Sequence, residues 1–205
     1  VNIALANEFA LHAQEVGLDI ASVIEASNSQ PFSHVHQPGV AVGGHCIPVY
    51  PKFYLTSDRS ASLPGVAIEV NESMPRRVVS MLEEQVGDLK NKKVVVLGAS
   101  YRGGVKETAF SGVFPLVQEI EDRGGVPLVH DPMFTEKELS ALGFQSYQFG
   151  EECNVVIVQS DHDSYKHLLS EDIPGATHLF DGRRVGDPEK LHPIEVSSLG
   201  DGRGR

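Results

Sequence analysis

VVVLGASYRGG, residues 94–104, opens on four apolar residues in a row and closes on a glycine-rich turn. An unbroken apolar run of this length suits a strand buried on both faces. The texture repeats downstream: SGVFPLVQEIEDRGG reads as helix, VPLVHD as strand, FTEKELSALG as helix, NVVIVQS as strand, DSYKHLLS as helix and THLFDG as a last strand. Strands alternating with helices predict a parallel sheet joined by right-handed crossovers. Upstream the pattern is helical. VNIALANEFALHAQEVG places Ile3, Ala6, Phe9, Ala10, Ala13 and Val16 at helical spacing, and Asp19 is a candidate N-cap for DIASVIEAS. A third helix is expected from about Val66 to Val86, with Val70, Met74, Val78, Met81 and Leu82 on one face, and Pro75 should kink or break it. The expected fold class is therefore α/β: a helical segment over residues 1–86, a parallel-sheet domain over 87–197 and a tail over 198–205, with GDGRGR read as disordered.

Composition narrows the partners. The 205 residues carry a net charge of −11, with 40% hydrophobic and 22% charged residues. That balance fits a globular protein and argues against a nucleic-acid groove or an anionic membrane surface. No apolar run reaches the length of a membrane span. Cys46 and Cys153 stand far apart without a C-x-x-C pattern, which points to a reducing, cytoplasmic setting rather than a disulfide framework. The chain begins without methionine and inside a helical pattern, so it reads as a fragment of something longer.

The turn after the first strand approaches a dinucleotide fingerprint, G-x-G-x-x-G. Gly98 and Gly103 are in place, but Ser100 occupies the position of the middle glycine, where a pyrophosphate would approach the backbone. Asp131 at the end of the next strand comes later than the usual ~20 residues. Either a nucleotide site of another kind at the sheet's carboxyl edge or a plain tight turn satisfies this loop. Arginines near strand ends are candidate diphosphate ligands: Arg102 after VVVLGASY, and Arg183 and Arg184 after THLFDG. Surface salt bridges are the plainer alternative for an isolated arginine. Lys106 and Glu107 read as a solvated loop pair.

The second unusual stretch is VGGHCIPVYPKFY, residues 42–54. Most lone cysteines are small buried apolar residues, and Cys153 is read so. Cys46 differs. Gly43 and Gly44 allow a close approach to the backbone, Pro48 and Pro51 suit the first turn of a helix beginning just after the cysteine, and a thiol at a helix N-terminus is the better nucleophile. His34, His36, His45 and Cys46 could ligate zinc, but their spacing matches none of the usual zinc patterns, so no metal is expected and His34 and His36 read as ordinary loop residues.

GGHCIPVYPKF resembles the catalytic loop of the UDP-glucose/GDP-mannose dehydrogenase family. VVVLGASYRGGVKETAFSG resembles the opening of that family's C-terminal domain, VNIALANEFA its central helix and LFDGRRV its late arginine segment. The resemblance implies a central helical dimerisation domain followed by a Rossmann-like domain holding the UDP of a nucleotide sugar. It implies an NAD-binding domain upstream of Val1, so NAD would be held mainly outside this chain. It further implies oxidation of the sugar C6 alcohol to a carboxylate. Cys46 would attack the C6 aldehyde to give a thiohemiacetal and then a thioester, which water hydrolyses. Gly43, Gly44 and His45 would lie against the sugar, and Arg102, Arg183 and Arg184 would bind substrate. The substrate would be a UDP-N-acetylhexosamine, to which the GGHCIPV wording is closer, or UDP-glucose, and the product would feed polysaccharide synthesis. A homodimer is expected, with Ile3, Phe9 and Val16 needing cover.

Two positions depart from the family pattern. Tyr50 stands where the family has an aspartate four residues after the cysteine, and a phenol is a weak base at neutral pH. Ala109-Phe110-Ser111 stands where the family has R-E-S. Either Tyr50 is a catalytic substitute that orients water, or another group does the work, or hydrolysis is impaired. The alternatives are a non-catalytic UDP-sugar-binding or assembly module and, third, a zinc-binding structural module.

Overall fold

The computed structural model describes residues 1–203. Helices α1 (Asn2–Val16), α2 (Ile20–Asn28), α3 (Tyr50–Ser57) and α4 (Leu63–Val86) come first. The alternating half then runs β1 (Lys93–Leu97), α5 (Val113–Asp122), β2 (Val126–His130), α6 (Glu136–Ala141), β3 (Val155–Val158), β4 (His178–Asp181), α7 (Pro188–Leu191) and β5 (Glu195–Ser198). The five strands form one parallel sheet in the order β2-β1-β3-β4-β5. Val96 sits level with Val129 on one side and Ile157 on the other.

The doubly buried strands do what their sequence requires. Val94 and Val96 point to one face of the sheet, where Val78, Leu82, Leu116 and Ile120 cover them. Val95 and Leu97 point to the other, against Tyr147, Tyr165, Leu168 and Ile173. The first of these clusters also takes in Ala10, Ala13, Ile20 and Ile24, so one apolar core runs from the helical half into the sheet. Asp19 caps α2 as expected, accepting from the N–H groups of Ala21 and Ser22.

Several elements differ from the expectation. Helix α4 runs unbroken from Leu63 through Pro75, because burial of Pro75 and its neighbours Met74, Val78 and Val79 holds the turn that lacks an N–H. The stretch DSYKHLLS makes a 3-10 turn over Asp163–His167, followed by another over Ser170–Asp172, rather than an α-helix. THLFDG is not the last strand. The short polar sequence EVSS adds β5 at the edge, and only its pairing with β4 identifies it as a strand.

Nor is the end of the described chain a loose tail. Leu199 is buried in the core and Gly200 packs against Ala10. The Gly200 carbonyl accepts from the Ile20 N–H at 2.8 Å, and Asp201 accepts from the Ser198 N–H. The disordered-tail expectation fails through Arg203; Gly204 and Arg205 lie outside the described residues. Helix α1 also turns differently. Its buried face is Ala4, Ala6, Asn7, Ala10 and Ala13, which leaves Leu5, Phe9 and Val16 exposed and Ile3 on a neighbouring cavity. Leu199→Ala should cost about 2–4 kcal/mol in urea unfolding, the cost of emptying a buried leucine site. A residue of a loose tail would change stability by less than about 0.5 kcal/mol.

Candidate active site

The Cys46 loop is pinned from both halves of the molecule. From the helical side, the buried Asn7 accepts the Gly39 N–H at 2.9 Å and donates to Asn71 Oδ1 at 3.0 Å. From the sheet side, the Gly44 N–H donates to the Ala109 carbonyl at 2.8 Å. A Cβ on Gly43 would overlap Tyr101 and stand 2.9 Å from the Phe110 carbonyl oxygen. The glycines thus permit a close approach, but in this structure the approaching group at each missing Cβ is Tyr101 or Phe110 of the same chain.

Cys46 is exposed, and its carbonyl accepts from the Tyr50 N–H at 2.9 Å. The thiol therefore stands one turn ahead of α3, at the mouth of that helix. It borders a cavity of about 600 Å³ together with Tyr50, Ile68, Asn71, Phe110 and Phe114. His45 points elsewhere: its Nε2 meets Glu107 Oε2 at 3.3 Å. The Ala109 N–H first, then His45, hold the Glu107 carboxyl below the usual carboxylate range. Lys106 does not pair with Glu107 as expected but with Glu138 of α6.

The turn after β1 is closed to a dinucleotide. Asp131 Oδ2 accepts from the N–H groups of Ala99 and Ser100, both at 2.9 Å, and from His162 Nε2 at 3.1 Å. Burial alone would raise the Asp131 carboxyl, but His162 and the Ser100 and Met133 N–H groups outweigh it and hold it low. A carboxylate already occupies the donors that a pyrophosphate would need. Gly98, at φ +110°, is so close to Ser160 that any Cβ would fall on its side chain. The residues present do not fit NAD at this loop.

The two arginines of DGRR part company. Arg183 is half-buried and off the cavity wall: its Nε donates to the Gln159 carbonyl at 2.9 Å, and a Cβ on Gly39 would stand 3.0 Å from its Nη1. Burial pushes its pKa down, with Asp161 opposing the shift. Arg184, at φ +53°, turns the other way to pair with Asp19 at 2.7 Å and to reach the Leu199 carbonyl. It ties the sheet half to α2 rather than facing the cavity. Arg102 is exposed on the turn and is not part of the cavity wall. Ser100 Oγ, Ser160 Oγ and Gln159 Oε1 are buried at this edge of the sheet without protein partners.

The structure thus brings together Cys46, Tyr50, Gly43 and Gly44, with His45 beside them, and sets Arg183 against the start of the same loop. It does not bring Arg184 there. His34 and His36 pack edge-on with ring centres 5.3 Å apart. Among the described residues no three His, Cys, Asp or Glu side chains are grouped to hold a metal, and no helix is long and apolar enough to cross a membrane. Sequence reasoning missed Asn7, Tyr101 and Phe110. Asn7 did leave a trace, a polar residue within a helical stripe of alanines, and Phe110 stands within the Ala109-Phe110-Ser111 departure, but nothing in the sequence marks Tyr101 or Phe110 as a contact of Gly43.

Beside Asp131, His130 stacks on Phe149 at 4.2 Å between ring centres. Burial lowers its pKa from 6.5 to about 4; Asp131 opposes this and His162 adds to it. The folded state keeps this imidazole neutral while the unfolded chain takes up a proton. Its contribution is fully present above pH 6.5 and is lost as pH falls to about 4, on the order of 3 kcal/mol in all. Urea titrations across this window should show that slope, reduced in His130→Gln.

Comparison with known proteins places the chain. The profile of the UDP-glucose/GDP-mannose dehydrogenase family's central domain matches residues 1–74, and that of its UDP binding domain matches residues 95–188. A UDP-N-acetyl-D-mannosamine dehydrogenase of Methanocaldococcus jannaschii is 30% identical over 99% of this chain and 49% of its own length. The solved UDP-D-ManNAc dehydrogenase of Pyrococcus horikoshii superposes with a TM-score of 0.80 at 27% identity, covering 98% of this chain and 49% of that one. The UDP-glucose dehydrogenase of Pyrobaculum islandicum gives 0.82 at 27% identity, covering 97% and 48%. The chain spans about half the length of the curated relatives it matches. With both matched domains in the order and places where the helical half and the parallel sheet stand, the chain belongs to the UDP-glucose/GDP-mannose dehydrogenase family.

Proposed function

We propose that this chain supplies the nucleophile and the nucleotide-holding half of an NAD-dependent dehydrogenase that oxidises C6 of a UDP-sugar to a carboxylate. The observation that carries the reading is the position of Cys46. It is an exposed thiol on a loop strapped to the UDP-binding domain, at the edge of a cavity large enough for a sugar. The Cys46 thiol adds to the C6 aldehyde, the S–C bond forming as the carbonyl oxygen gains a proton. Loss of a hydride from carbon and of the hydroxyl proton to solvent turns this thiohemiacetal into a thioester, and water opens it to the acid and the free thiol. A nicotinamide cofactor would accept the hydride; the turn after β1 does not form its grip. Arg183 and the unpaired buried oxygens of Ser100, Gln159 and Ser160 are suited to the polar UDP end, because buried polar groups are ordinarily partnered. The named relatives act on UDP-N-acetyl-D-mannosamine or UDP-glucose, and a UDP-N-acetylhexosamine is the substrate class favoured here.

Calorimetric titration should find UDP binding and no NAD binding to this chain. Arg183→Ala should weaken UDP at least about tenfold, the scale of a lost charged hydrogen bond. In the intact enzyme Cys46→Ser should abolish acid formation; normal acid production by that variant would refute the nucleophile. The presence of Tyr50 favours the non-catalytic UDP-sugar-binding module as the second reading. Cys46 that resists alkylation at neutral pH, with or without UDP-sugar, would favour it.

The assembly reading is a homodimer through α1. Leu5, Phe9 and Val16 form an exposed apolar stripe at helical spacing, with Phe9 43% exposed. Phe9→Asp should shift the sedimentation of the intact enzyme toward monomer, and an unchanged coefficient would remove this face from the interface.

A further inference from the structure

The cavity beside Cys46 takes its walls from three places. Cys46 and Tyr50 belong to one, Ala67 and Ile68 of α4 to a second, and Phe110 and Phe114, from the loop after β1 and the start of α5, to a third. The polar side chains on these walls are few and already engaged. Asn71 Oδ1 accepts from Asn7 at 3.0 Å, and Lys52 and Glu72 hold each other at 3.0 Å. Ser111 Oγ accepts from the Val113 N–H and from Gln159 Nε2, both at 3.3 Å. A plain hexose needs a partner for every hydroxyl withdrawn from water, and such walls match it poorly. A sugar that carries an apolar substituent is matched better.

Phe110 stands at this cavity on a strained backbone. It is the third residue of a turn closed by the Ser111 N–H on the Thr108 carbonyl at 2.9 Å, and its φ is +52°. Glycine or asparagine ordinarily takes a left-handed third position, because a Cβ is crowded there. Burial does not offset the strain, since Phe110 is 59% exposed. Phe114, by contrast, packs on Phe144 with ring centres 5.2 Å apart. The backbone next to Phe110 is fixed on both sides of the site. The Ala109 N–H donates to Glu107 Oε1 at 3.0 Å, and the Ala109 carbonyl accepts from the Gly44 N–H at 2.8 Å. A bulky side chain held strained and exposed on a fixed loop, lining the same cavity as the Cys46 thiol, points to function rather than packing.

Phe110 also lies within the stretch that matches the UDP binding domain. In a UDP-sugar the diphosphate is on C1, C2 is its neighbour, and C6 projects from C5 on the opposite side of the ring. With C6 offered to Cys46 and the UDP held by the sheet half, the C2 substituent falls toward the sheet half. We propose that Phe110 is a specificity-determining residue whose ring receives the methyl of the acetamido group on C2 of a UDP-N-acetylhexosamine. The inference rests on the dehydrogenase reading and deepens it at the sugar. Phe110 takes no part in the chemistry at C6; it sorts sugars by what they carry at C2. That gives position 110 a role in Ala109-Phe110-Ser111, where the family pattern R-E-S has an acidic side chain instead.

The test is steady-state NADH formation by the intact enzyme with UDP-N-acetyl-D-mannosamine, its gluco and galacto isomers, and UDP-glucose, alongside urea unfolding. The wild type should show a higher kcat/KM for one of the N-acetyl sugars than for UDP-glucose. Phe110→Ala should lower that ratio about tenfold or more, the scale on which a hydrophobic pocket sorts small apolar groups. Phe110→Gly should lower it as far while unfolding close to the wild-type urea midpoint, because relief of the left-handed strain offsets a looser unfolded chain. Phe110→Leu should keep part of the preference. A merely structural role would depress every sugar alike. Equal losses on all the sugars, an unchanged ratio in the alanine and glycine variants, or a wild type that prefers UDP-glucose each overturns the inference and leaves the dehydrogenase reading standing. A wild type that forms NADH from none of these sugars overturns both.

Discussion

The close approach of Gly43 to Tyr101 and Phe110 is the contact on which the site depends. Cys46 belongs to the helical half and the matched UDP binding domain to the sheet half, so some backbone must cross between them without side-chain bulk. Any Cβ at Gly43 would overlap Tyr101, and the Gly44 N–H bond to Ala109 fixes the register of the contact. Cys46 follows two residues later, so its place relative to the sheet is set by backbone rather than by a long, adaptable side chain. Asn7 completes the clamp from α1, which is why a polar residue is tolerated in that helix's buried face.

The loop on the other side of the clamp must be stiff for this to work. Its stiffness comes from Asp131, whose carboxylate gathers the Ala99 and Ser100 N–H groups and His162 in a buried setting. In a dinucleotide-binding turn those donors would be left free for pyrophosphate. Here the same strand-to-helix geometry is occupied internally, which converts a ligand grip into a brace. Ser100 is compatible with this arrangement because its N–H is already held by Asp131.

Much of this was legible in the sequence. The apolar runs VVVL and VVIV identified buried parallel strands, because short β-branched runs between helical patterns suit a strand buried on both faces. Asp19 identified its helix start, and the GGHC stretch marked the loop that crosses between the two halves. What could not be read was partnership across distance. EVSS carries no apolar signal and becomes a strand only through β4. The helical period of α1 was plain, but whether alanines or Phe9 faced inward depended on how closely α4 approaches. Arg183 and Arg184 looked equivalent as neighbours, yet a left-handed backbone at Arg184 sends it to Asp19 instead. Glu107 looked solvated because its partner His45 lies 62 residues away.

Helix α1 joins these features to assembly. Its alanine face packs on α4, Ile3 lines the Cys46 cavity, and Leu5, Phe9 and Val16 remain outside. One rigid helix therefore carries a wall of the cavity on one side and an apolar stripe on another. Small residues on the buried face let α1 pack closely on α4. Asn7 lies on the same helix and holds Gly39, the residue against which Arg183 rests. The start of the Cys46 loop, one wall of its cavity and the exposed apolar stripe are thus all tied to one helix.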